Sequence, residues 1–135
     1  MACFVVPAAE AIVTTIVRKV AEKKEKQPAE AEILLDGVPE KVSRIPFSRT
    51  LKWLTNLLWG GSALLAFEHV WHGEVVPWFP FLTAAANPED AAEMLHEMAT
   101  VGVSMAALVT LTWLVMLAVS AVIEKRALKA EPVKA

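Results

Sequence analysis

The chain reads as an all-α integral membrane protein, with two transmembrane helices and a short N-terminal helix that either spans the bilayer or lies in its interface. Hydrophobic residues fill 56% of the 135 positions and mean hydropathy is positive, which is high for a soluble fold of this size. They are gathered in long blocks with the charges held between them, the pattern of a bilayer-spanning chain. The basic residues are also segregated. Of 13 Lys and Arg, nine lie between Arg18 and Lys52, the other four are Lys125, Arg126, Lys129 and Lys134, and none falls between Trp53 and Glu124.

The N-terminal segment, residues 2–17, spans only about 24 Å as a helix and contains Pro7, Glu10, Thr14 and Thr15. It fits a short spanning helix with its N-terminus outside. It fits equally a helix lying in the interface, because Ile12, Val13, Ile16 and Val20 line one face while Glu10, Thr14, Arg18 and Glu22 line another. The stretch from Arg18 to Arg49 is dense in charges of both signs. Gln27-Pro28 should end the first helix, and Ile33 through Val38 reads as a strand entering an Asp36-Gly37 turn.

A spanning helix is expected to start near Ser48 as its cap and to run from Leu51 to about His72, with Gly73 as terminator. Gly60-Gly61-Ser62-Ala63 offers it a small-residue surface for close helix contact. Trp71, Trp78, Phe79 and Phe81 gather at its outer end, as an interfacial aromatic belt does. The second spanning helix carries 25 residues without a charge, from Ala99 to Ile123, enough for about 37 Å. Asn87-Pro88-Glu89-Asp90 is a well-formed helix start, and Glu124-Lys125-Arg126 marks the inner end.

Four regions follow: a membrane-associated helix (1–27), a mixed-charge loop or short hairpin (28–47), an antiparallel transmembrane hairpin with an aromatic outer loop (48–126) and a tail (127–135). Basic residues favour the cytoplasmic side. This places the 18–52 loop and the C-terminus in the cytoplasm and 73–97 outside, in the cell membrane if the source is prokaryotic. The same residues are interleaved with Glu and flank apolar blocks, so they read as topological anchors and give no support to nucleic-acid binding. The one cysteine, Cys3, excludes an intrachain disulfide.

One constellation can carry chemistry. Glu68-His69-x-x-His72 and Glu93-x-x-His96-Glu97 each put imidazole and carboxylate on one helix face. Their spacings mirror each other, so antiparallel neighbours in register would set His72 against Glu93, His69 against His96 and Glu68 against Glu97. Such donors suit Zn, Fe, Mn or Cu. Haem between His69 and His96 is disfavoured, because His96 has acidic neighbours on its own face and a bis-His haem wants an apolar slot. The competing reading is a hydrated cap in which these groups only face water. Met94, Met98, Met105 and Met116 sit at positions expected to be core or lipid-facing. No catalytic triad, phosphate-cradling loop or nucleotide fingerprint is present.

Small size, the Gly-Gly-Ser-Ala surface and the lack of a catalytic signature point to a non-catalytic subunit or accessory factor of a membrane complex. Its partners would be the lipid bilayer and either further copies of itself or other membrane subunits. The alternative is a metal-binding or redox protein built on the mirrored His/Glu residues.

Overall fold

A computed structural model describes residues 2–25, 30–35 and 38–129, and these residues are mostly helical. Helix α1 covers Val5–Lys24. A two-stranded antiparallel hairpin follows, β1 (Glu30–Leu35) paired with β2 (Val38–Ser43) in a register running from Glu30 against Ser43 to Leu35 against Val38. The expected break at Gln27-Pro28 and the Asp36-Gly37 turn lie outside the described residues. Helix α2 covers Phe47–Trp71, α3 covers Pro88–Glu97, and α4 covers Val103–Leu128. A π-helical turn over Met98–Gly102 joins α3 to α4 without a break. The resulting rod, Pro88–Ala127, is among the described residues the one helix long and apolar enough to cross a membrane.

Helix α1 is longer than the apolar segment that announced it and lies antiparallel to α2. At one end Cys3 meets His69, and at the other Glu25 meets Ser48. Pro7 is accommodated because it stands in the first helical turn, where its missing N–H has no partner to lose.

The rotation of α1 is the informative feature. Its apolar stripe, Ile12, Val13, Ile16, Val17 and Val20, is exposed, whereas Glu10, Ala11, Thr14, Thr15 and Arg18 turn inward. The inward polar groups find partners across the bundle: Thr110 donates to Glu10 Oε1, Thr55 donates to Thr14 Oγ1 at 3.5 Å, and Trp59 Nε1 donates to Thr15 Oγ1 at 3.2 Å. Helix α2 follows the same rule. Its buried positions include Thr50, Thr55 and Ser62 beside Leu51, Leu54 and Leu58, while Leu64 and Phe67 look outward. The core is small, formed by Ala11, Leu51, Leu54, Leu58 and Trp113. Trp113 Nε1 donates to the Thr50 carbonyl at 2.8 Å and so ties α4 to the first turn of α2.

The start of α2 corrects a sequence-based expectation. Ser48 lies inside the first turn, the N-cap position is taken by Pro46, and no side chain of α2 caps its own helix. Glu25 does this from the end of α1, its Oε1 accepting from the Ser48 N–H at 2.9 Å. A carboxylate there satisfies an orphan donor and faces the positive end of the helix dipole. Hydrogen bonds from the Ser48 side chain, then from the Ser48 and Phe47 backbone, hold the Glu25 carboxyl below its ordinary range.

A depressed carboxylate contributes stability above its unfolded-state pKa and loses it as pH falls through the folded value. Glu25→Gln should therefore lower the thermal midpoint at neutral pH and flatten its decline in the acidic range. A variant whose midpoint tracks the parent's across both ranges would show that this cap contributes nothing.

Candidate functional site

The outer end of the bundle is built by local code that can be followed residue by residue. Helix α2 ends at His72, and Gly73 adopts φ +73°, the left-handed conformation that only glycine takes freely. The Gly73 N–H then reaches the Val70 carbonyl at 3.0 Å and the Glu74 N–H reaches the His69 carbonyl at 2.9 Å. This is the paired bonding of a Schellman terminus. Its consequence is positional: Glu74 is folded back over His69.

The loop that follows is held by the Val75–Leu82 bridge and by the Thr83 N–H donating to the Glu74 carbonyl at 3.0 Å. Asn87 caps α3, its Oδ1 accepting from the Glu89 N–H at 3.1 Å, with Pro88 opening the helix.

The N-terminus closes the site. Ala2, Ala84 and Met94 form a buried cluster with Phe4, Val5, Leu82 and Met98 packed against it, which threads Cys3 between α2 and the π-turn. Gly102 makes this possible, since a Cβ there would lie 2.9 Å from Val6 Cγ2 and 3.0 Å from the Cys3 carbonyl.

Between these elements opens a cavity of about 290 Å³ lined by Cys3, Glu68, His69 and His72, with Glu74, Glu97 and Val101 completing the wall. His69 is its fixed member. It is 5% exposed, with Phe4 against its ring edge-on at 5.3 Å. Its Nδ1 lies 2.6 Å from the Leu65 carbonyl, and because a carbonyl can only accept, that nitrogen carries the hydrogen. Nε2 is left facing the cavity, 3.4 Å from Cys3 Sγ and 3.6 Å from Glu74 Oε2. His72 repeats the pattern at the rim, its Nδ1 on the Glu68 carbonyl at 2.9 Å. Burial pushes the Cys3 thiol above its ordinary value. The resting group is a thiol, suited to donate to His69 Nε2.

Comparison with family models, with curated proteins and with solved structures finds no match to this chain. The site is therefore read from its own geometry.

Of the six residues singled out in the sequence, Glu68, His69, His72 and Glu97 line the cavity, while Glu93 and His96 are exposed and do not. The mirrored register, with His69 against His96, does not form. Helix α3 turns Met94 and Met98 inward against the N-terminal segment and the outer loop, so His96, two positions from each, points elsewhere. Cys3 fills the place across from His69. Among the described residues, no three His, Cys, Asp or Glu side chains stand as a closed set able to hold a metal ion. Cys3 and Glu74 were missed in the sequence. The available signal for Glu74 was its place directly after the helix-ending Gly73. For Cys3 there was none, since its partner is 66 positions away.

Proposed function

We propose that this protein is a three-span membrane bundle, N-terminus outside, acting as a non-catalytic subunit or accessory factor of a membrane complex. The observation that carries the membrane part is the inverted polarity of the bundle. Apolar side chains of α1, α2 and α4 face outward along their lengths, while Thr110 meets Glu10 and Thr55 meets Thr14 inside. In water this arrangement would expose the groups that burial rewards. In lipid it is the favourable one, because polar groups must be satisfied within the protein and outward apolar groups meet acyl chains.

Charge supports the orientation. Glu25 caps α2, and the Ile45 N–H donates to Glu124 Oε1 at 3.0 Å. These contacts gather the Lys- and Arg-bearing ends of α1, α2 and α4 at one end of the bundle, the end that the positive-inside rule assigns to the cytoplasm. The opposite end carries His and Glu.

The subunit part rests on outward surface that the bundle itself does not use. Gly60 and Gly61 have open space where a Cβ would stand, so at these two positions α2 can receive another helix closely, while Ser62 beside them turns into the fold.

Single cysteines at positions 41 and 89, introduced in a Cys3→Ser background, should label from opposite sides of sealed vesicles. Labelling of 41 and 89 from one side would overturn the span assignment. Photo-crosslinkers at Gly61 in native membranes should yield discrete protein adducts, and adducts to lipid alone would remove the subunit reading while leaving the topology intact.

A further inference from the structure

We infer that the bundle seats one acyl chain of a membrane lipid in an apolar groove between α2 and α4. Such a seat presupposes the membrane placement proposed above and holds with or without a partner subunit.

The groove has a volume of about 240 Å³ and is walled by Pro7 of α1, by Leu58, Gly61 and Leu65 of α2, and by Met105 and Val109 of α4. Its origin is visible in α2. Leu58, Gly61 and Leu65 follow one another at helical spacing on one face, and the middle position brings no side chain to the wall. A Cβ at Gly61 would meet nothing within 4 Å. Leu57 and Leu64, at the edge of the groove, are exposed, so it opens outward.

Three properties select the occupant. The first is width. A space of about 240 Å³ is less than about 8 Å across even as a sphere, whereas a helix with its side chains measures about 10–12 Å. A partner helix can lie over the two glycines but cannot enter beneath them. An apolar cavity of about 150 Å³ accepts benzene, and on that scale this groove takes about nine or ten carbons.

The second is polarity. The walls are apolar side chains, and Gly61 lies inside α2, where the helix uses its backbone groups. Water finds no partners there. Lipid tails are as apolar as leucine, so what favours the seat is contact: walls without neighbours forfeit dispersion attraction, and a methylene chain restores it.

The third is depth. Leu65 stands about 6 Å and Leu58 about 16 Å below the level of His69 along α2. With His69 at the outer end, the groove falls in the outer half of a hydrocarbon core about 30 Å thick. A chain from the outer leaflet reaches it without displacing its head group from the interface.

Full-length protein in phosphatidylcholine vesicles, doped with a phosphatidylcholine carrying a diazirine midway along one acyl chain, tests this. After illumination, adducts mapped by mass spectrometry should fall several-fold more often on Leu58, Leu65, Met105 and Val109 than on Ile12 and Leu111, which face outward. Gly61→Leu, which fills the groove, should abolish that preference. Gly60→Leu also enters open space but lies outside the groove wall, and should keep it. Circular dichroism shows which variants are folded, and the parent's own adduct map decides the question if Gly61→Leu is not. Adducts spread evenly over wall and outward residues, as a fluid lipid shell would leave them, would overturn the assignment. So would a folded Gly61→Leu variant with the parent's map. Flotation of the same vesicles separates the two readings: protein that floats with an even map loses the groove alone, and protein that does not float loses the membrane placement with it.

Discussion

A single methyl group added at Gly102 should unseat the N-terminus. The new Cβ would meet Val6 Cγ2 at 2.9 Å and the Cys3 carbonyl oxygen at 3.0 Å. Neither neighbour yields easily. Val6 is β-branched and stiff about its first torsion, and the Cys3 backbone is anchored by the buried Ala2 cluster. Overpacking of this kind costs about 1–3 kcal/mol, against roughly 1 kcal/mol of helix propensity gained by replacing glycine with alanine.

Gly102→Ala should therefore lower the thermal midpoint in detergent and raise the rate at which Cys3 is alkylated by a maleimide. Gly60→Ala and Gly61→Ala, where nothing stands within 4 Å, should leave the alkylation rate unchanged. Equal reactivity of Cys3 in all three variants would mean that α1 is not docked against the π-turn.

The second large effect is expected from a charge on the outward face of α4. Leu111 is 59% exposed and lies at the middle of the uncharged run from residue 99 to 123. In a water-soluble bundle, Leu111→Arg would replace one exposed side chain by another, and such changes usually stay within about ±0.5 kcal/mol. In a bilayer, arginine at a helix centre costs about 2.5–3.5 kcal/mol of insertion free energy, roughly a hundredfold in the inserted fraction. The variant should be depleted from the carbonate-resistant membrane fraction and degraded. Full retention there at parental abundance would argue that α4 does not cross the membrane.

How much of this was legible in the sequence depends on the range of the code involved. Helix ends are written locally. Asn87-Pro88 and Gly73 declared their roles through side-chain chemistry and backbone freedom that act over two or three residues. The common face of Glu68, His69 and His72 followed in the same way from helical spacing.

What was not legible depended on rotation and on distant partners. The apolar stripe of α1 could be read as a face for lipid or for an interface, because periodicity shows that a face exists and not what it meets. The threonines opposite it acquire meaning only beside Thr55, Trp59 and Thr110. The cap on α2 was misassigned to Ser48 for a related reason: the group that performs it, Glu25, is 23 positions upstream. His96 was drawn toward His69 by matching intervals. Its helix is oriented instead by Met94 and Met98, whose packing against the N-terminal segment is worth more than a pairing of exposed polar groups.

The seat of Cys3 has a consequence for how the protein is made. Cys3 is translated before the elements that wall it, α2 and the π-turn near Gly102. Until both have been made, the thiol has no pocket to enter. The cavity is completed only once the π-turn has been delivered, and a chain truncated before residue 102 carries Cys3, His69 and His72 without the site.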